Sequence, residues 1–314
     1  MRTLRNKIAL LVFSSLLWAN VFAQQANSWI NYSQQYFSFK IFKDGIYRID
    51  SATLANAGII LSSVNPKQIQ IFGRGQEIPL YIKGESDGVF NASDYIEFYA
   101  QKNDGWLDSI VYEGANNQNN PYYSLYNDTA TYFLTVTSSL NNARFTIETD
   151  TSVSSYAKNN FIWKEALQNY NSYYYDGQTN IYGGTEAKYH FSEGWFDSPV
   201  NLGGTKYYNI STPNYTTSAN VELKFSFCGE SDYQQIATGD HHIEVSIGST
   251  VLMDTVFEGY KKIDGNIAIL PSLLNNTTTV KFKSVNDLGA TTERSAIGYI
   301  SILYQYNQNA NNAN

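Results

Sequence analysis

Between residues 221 and 227 apolar and polar side chains alternate without a break. Leu223, Phe225 and Phe227 share one face, and Glu222, Lys224 and Ser226 share the other. A period of two suits a half-buried strand and cannot line one face of a helix. Comparable runs recur at 206–210, 242–247, 251–257, 279–282 and 297–304, with Gly, Asn and Asp between them. Strands at such spacing predict a sandwich. The 26 Tyr and 17 Phe favour the same pleated surfaces. The expected class is all-β: a small N-terminal β-rich module followed by a β-sandwich of jelly-roll-like type.

In the first module, Phe37, Phe39 and Ile41 alternate with polar residues, and Ile46, Tyr47 and Ile49 return after Asp44-Gly45. This predicts a hairpin. Ser51 is placed to cap a short helix over 52–57, ended by Gly58 in the left-handed region. Further strands are expected at 69–72, 78–82, 95–99 and 132–136, with 144–149 closing the module. Pro79 confines its strand to an edge or bulge. The polar, Ser-rich stretch from residue 150 reads as a linker to 178, with a short helix over 161–167.

The N-terminus carries Arg2, Arg5 and Lys7, an apolar run from Ile8 to Trp18, and Val21-Phe22-Ala23 before Gln24. This is a signal-peptide pattern, with an apolar run too short to span a bilayer. The expected organisation is a signal peptide at 1–23, the N-terminal β-rich module at 24–149, the linker at 150–178, the β-sandwich at 179–306 and a disordered Asn-rich tail at 307–314. Cleavage removes three positive charges and no acid, taking the formal net charge from −7 to −10. That sign argues against nucleic acid and anionic membranes as partners. The mature chain is expected to be exported, to the periplasm, cell surface or medium, with no membrane insertion after cleavage.

Chemistry-bearing residues are sparse. One Cys excludes an internal disulfide and a cysteine-ligated zinc site, and three His leave little for a histidine metal centre. Cys228 with His241 or His242 is the one thiol–imidazole combination to weigh. Cys228 ends an apolar alternation, which suits a packed, inert thiol. His241 and His242 are neighbours and point to opposite faces of a strand. His190 stands alone in the sequence. Gly73-Arg74-Gly75-Gln76 lacks the Lys-Ser and helix of a phosphate loop and reads as a turn. Glu85, Asp87, Asn91 and Asp94 fall within ten residues around Gly88. Hard oxygen donors at this spacing are a candidate calcium set, the one cofactor entertained. A solvated Asx turn is the competing reading. Tyr122, Tyr123 and Tyr126, and Tyr173, Tyr174 and Tyr175, are candidate interaction residues, because tyrosine stacks on sugars and anchors protein interfaces.

The stretch from Tyr36 to Val136 holds Lys43-Asp44-Gly45-Ile46-Tyr47-Arg48-Ile49 and Gly73-Arg74-Gly75-Gln76-Glu77-Ile78-Pro79. It continues with Asp94-Tyr95-Ile96-Glu97-Phe98-Tyr99 and Asn120-Pro121-Tyr122-Tyr123-Ser124-Leu125. In order and density it resembles the N-terminal region of exported Bacteroidetes proteins that carry a gingipain-type cysteine peptidase domain, the type IX secretion sortase among them. In that family the catalytic His and Cys lie in a domain that follows these modules. No residue here matches them, so the resemblance implies no catalytic residue. It implies a non-catalytic pro-region or scaffold, either stand-alone or the front of a truncated peptidase. The partner would be a peptidase domain or a secretion-machinery protein. A surface carbohydrate-binding or adhesion module is the alternative.

Overall fold

The computed structural model describes residues 27–308, apart from 113, 153, 155, 158, 179–183, 186–187 and 236–238 and the side chain of 115. The expected signal segment at 1–23 and the rest of the expected tail, 309–314, lie outside the described residues. The chain is all-β and divides into two compact units: residues up to 102 with 129–149, and 103–128 with 150 onward.

The first unit holds two antiparallel sheets. One has the order β1-β7-β3-β4, from β1 (Tyr36–Ile41), β3 (Ile69–Gly73), β4 (Gln76–Glu77) and β7 (Ala130–Val136). The other is β2-β6-β5, from β2 (Gly45–Asp50), β5 (Tyr81–Ile82) and β6 (Tyr95–Ala100). Ile41, Ile71 and Leu134 from one and Ile82, Ile96 and Phe98 from the other are buried in one core. The expected 37–49 hairpin does not form. β1 pairs with β7 and β2 with β6, each over six residues. The chain changes sheet at Asp44, because two full-length partners satisfy more backbone groups than a mutual pairing of the two strands would. The helix is present as α1 (Ser51–Asn56), and Gly58 is left-handed with φ 89°. Its cap is Asp50, which accepts from Thr53 N at 2.8 Å, while Ser51 Oγ donates to Ala92 O.

The second unit is a β-sandwich. One sheet runs β11-β18-β13-β16, with β8 also on β18; the facing sheet runs β12-β17-β14-β15. The first comprises β8 (Phe161–Asn169), β11 (Val200–Asn201), β13 (Val221–Gly229), β16 (Lys262–Ile269) and β18 (Arg294–Asn307). The second comprises β12 (Thr205–Ser211), β14 (His241–Ile247), β15 (Thr250–Phe257) and β17 (Thr277–Ser284). Leu223, Phe225 and Phe227 are buried as their parity demands, and Phe227 meets Phe282 of the facing sheet edge-on at 5.1 Å. A small hairpin of β9 (Tyr173–Tyr175) and β10 (Gly194–Phe196) completes the unit.

Three expectations change here. The short helix over 161–167 is strand β8, paired with β18 through nine residues. Lys164, Glu165, Ala166 and Leu167 favour a helix intrinsically, but the free side of β18 offers a complete ladder and tertiary pairing prevails. The 150–178 stretch is therefore not all linker. Residues 103–128, read as part of the first module, group with the sandwich. Two residues expected in the tail are ordered with the sandwich: Asn307 ends β18 and Gln308 N donates to Asn160 O.

Candidate functional site

The 103–128 excursion is held to the sandwich by buried amides. Asn120 Nδ2 donates to Tyr170 O at 2.8 Å and to Gly298 O at 3.1 Å; Asn119 Nδ2 donates to Phe191 O. Gly298 is the extra residue of a bulge in β18, opposite Ser226 and Phe227 of β13. A Cβ at residue 298 would sit 2.9 Å from the Asn119 carbonyl, so the close approach requires glycine. Within the excursion, Gln118 Nε2 reaches the carbonyls of Asp104, Asn120 and Tyr123. Asp108, itself buried, accepts from Ser124 Oγ at 2.8 Å and Leu125 N at 3.0 Å. The sequence reading missed these amides. Gln118, Asn119 and Asn120 are ordinary loop residues until their partners, up to 178 positions away, are known.

The six tyrosines separate into different roles. Tyr173 and Tyr175 pack with Phe196, Cys228 and Ala296. The Tyr175 hydroxyl donates to Glu230 O at 3.0 Å, and Arg294 donates to the Tyr173 hydroxyl at 3.2 Å. Tyr122 sits edge-on to Tyr299 at 5.4 Å, and burial, helped by the Glu165 charge, pushes its pKa up to about 12. Tyr174, on the other face of β9, meets Trp195 edge-on at 5.0 Å and donates to Glu193 at 2.7 Å. Tyr126 is 71% exposed. Tyr123 lines a cavity of about 230 Å³ with Ser124, Asn127, Asp128, Asn171 and Trp195. The Trp195 indole donates to Ser124 O at 3.0 Å, which fixes the ring at the cavity wall.

The thiol and the imidazoles are not assembled for nucleophilic catalysis. Phe227 points into the sandwich, so its neighbour Cys228 points out, beneath β9 and β10. Cys228 is fully buried 3.7 Å from Ser192 O, and burial followed by the Glu230 charge pushes its pKa up. A reactive thiolate needs the opposite environment. His241 stacks on Phe257 at 4.6 Å. Its Nε2 donates to Ser231 O at 2.9 Å, and Nδ1 lies 3.1 Å from Ser295 Oγ and 3.4 Å from Glu293. Burial acts to lower its pKa, but Glu293, the Ser231 carbonyl and Asp240 outweigh it and hold the value above the ordinary one. His242 is clamped between Asp287 at 2.8 Å and Asp254 at 2.7 Å. His190 lies edge-on to Tyr260 at 5.3 Å. Glu230 is a buried carboxyl with Oε1 lacking a hydrogen-bond partner among the described residues. Burial raises its pKa to about 7, although Arg294 and Lys206 pull the other way.

In the first unit, the acidic loop is closed by its own residues. Asp87 accepts from Val89 N at 2.9 Å and Asn91 Nδ2 at 3.0 Å; Asp94 accepts from Asn91 N at 2.7 Å. Glu85 instead pairs with Arg144 at 2.5 Å. Among the described residues, no three His, Cys, Asp or Glu side chains converge as a metal ion requires. The 73–76 turn borders a cavity of about 300 Å³ with Tyr99, Tyr132 and Phe145. Arg74 adopts φ 53° and donates to Lys102 O at 2.6 Å, and Glu77 accepts from Ala143 N. No helix among the described residues is long and apolar enough to cross a membrane.

No family model and no curated protein matches this chain. Among solved structures, its fold is similar to dimeric latent PorU from Porphyromonas gingivalis, with 12% identity and a TM-score of 0.51. The likeness covers 87% of this chain, which spans 24% of that protein's length. A β-porphyranase of glycoside hydrolase family 86 from the human gut bacterium Bacteroides plebeius matches 87% of this chain and 35% of its own, at 12% identity and a TM-score of 0.25. A family 35 carbohydrate binding module from Clostridium thermocellum matches 45% and 90%, at 9% identity and a TM-score of 0.23. Scores that low for the last two bear on neither fold nor function.

Proposed function

We propose that this chain is a non-catalytic, exported accessory module of a gingipain-type peptidase system, working as a scaffold that docks a peptidase domain or a type IX secretion component. One observation carries the reading: a fold likeness to latent PorU that covers 87% of this chain stands beside a 36–136 stretch whose residues resemble gingipain-type N-terminal regions. The sealed position of Cys228 supports the non-catalytic part. The docking edge is β8, which among the described residues has its one strand ladder with β18 and exposes Ile162 (44%) and Trp163 (51%). An open edge with exposed apolar residues is a surface that native proteins cover or charge.

The test mixes the purified mature chain with a gingipain-type peptidase domain and follows association by light scattering and calorimetry. A one-to-one complex of micromolar affinity or better, weakened at least about tenfold by Trp163→Asp, is expected. No association, or association indifferent to Trp163, overturns the docking role. In parallel, thiol-activated hydrolysis of casein should stay at background for the wild type and for Cys228→Ala. Activity abolished by Cys228→Ala would overturn the non-catalytic assignment.

A further inference from the structure

The cavity beside Tyr123 is a built concavity rather than a loop accident, because each of its walls is held from behind. Gln118 grips the Tyr123 carbonyl at 3.1 Å, and Asn103 Nδ2 grips the Asn127 carbonyl at 2.8 Å. Asn103 N also donates to Asp128 O at 3.0 Å. Asn171 follows Tyr170, whose N donates to Gly298 O and whose carbonyl accepts from Asn120. Trp195 is fixed by its bond to Ser124 and by the Tyr174 ring. Such fastening removes the ordering cost that binding would otherwise carry.

Two half-buried aromatic rings, Tyr123 and Trp195, flank the space; the exposed side chains of Asn127, Asp128 and Asn171 stand at its rim. Flat rings take the C–H faces of a pyranose, while amides and a carboxylate can match hydroxyls that both donate and accept. The volume of about 230 Å³ is below the range of about 300–1,000 Å³ typical of clefts for drug-sized ligands. It suits one sugar ring. A carboxylate at the rim of a chain with formal charge −7 disfavours uronates, sulfated sugars and peptide carboxylates. We infer that this concavity of the second unit is a saccharide-binding subsite that takes a single neutral pyranose of a longer glycan. It is independent of the docking role, so either reading can fail alone.

The experiment uses the full mature chain on an array of neutral gluco-, manno-, galacto- and xylo-configured oligosaccharides, with uronate and sulfated oligosaccharides alongside. The best neutral binder is then titrated by calorimetry and saturation-transfer NMR. The expected result is micromolar to millimolar binding to a neutral glycan, with saturation transfer confined to one or two adjacent rings. Tyr123→Ala should weaken it at least about tenfold and Tyr123→Phe should retain it. Trp195 also holds Ser124, so Asn171→Ala supplies a variant with an exposed, structurally undemanding change; it should weaken binding severalfold with an unaltered melting temperature. Absence of binding to every neutral glycan at millimolar concentration overturns the inference. So does binding confined to the charged glycans, or neutral binding indifferent to both Tyr123→Ala and Asn171→Ala.

Discussion

Two loop regions of this protein are built from the same residue types and use them in opposite ways. In the 84–94 loop, Asp87, Asn91 and Asp94 bond to one another and to the next few backbone groups. In the 103–128 excursion, Asn119 and Asn120 reach across to carbonyls 50 to 178 positions away. The first pattern closes a turn and spends its carboxylates locally. The second welds a long excursion to a sandwich and leaves a concave space at its margin. Short polar side chains do not announce which pattern they will follow; the distance to the nearest unpaired backbone group decides it.

The sharpest break of this contrast is Asn120→Ala. It leaves the Tyr170 carbonyl without its amide donor, while Gly298 O keeps Tyr170 N, so chemical denaturation should show a loss of about 3 kcal/mol. A loss below about 1 kcal/mol would mean the excursion is held by its other contacts. Next is a pH effect on the face under β9 and β10. Glu230 ionises near pH 4.5 when unfolded and near 7 when folded. Its carboxyl therefore contributes fully below about pH 4.5, and that contribution is lost as pH rises toward 7. The loss amounts to at most about 3 kcal/mol. Melting curves across this window should slope downward for the wild type and less steeply for Glu230→Gln; identical slopes would refute the buried-carboxyl account. Smallest is the acidic loop. Asp94→Ala removes one acceptor for Asn91 N and should cost about 1 kcal/mol. Millimolar calcium should leave the melting temperature unchanged, since Glu85 is committed to Arg144 and Asp87 to Asn91. A calcium-dependent rise that Asp94→Ala abolishes would reinstate the loop as a cation site.

Where periodicity carried the information, the fold was readable. The faces of β13 follow from alternation alone, and Gly58 ends α1 where a left-handed residue was expected. Where a choice between partners was involved, it was not. The segment 37–49 has everything a hairpin needs except the knowledge that β7 and β6 each provide a full-length ladder of their own. Residues 164–167 have helix-forming side chains and become part of a strand because β18 stands open beside them. Of the candidate site, Tyr123 was legible as an aromatic among turn residues. Trp195 and Asn171 were not, because they come from segments that only folding brings to it.

Composition and alternation by themselves made this an aromatic-rich β protein with one cysteine and scant catalytic material. Those properties depend on nearest neighbours along the chain, and every strand carries them before it meets another. Tertiary structure alone decided that Cys228 is sealed beneath Tyr173 and Tyr175, and that residues 103–128 join the sandwich. It also decided that a glycine bulge at residue 298 receives the Asn120 amide. Those outcomes turn on which buried donor finds which acceptor, and that matching exists only once the sheets are packed.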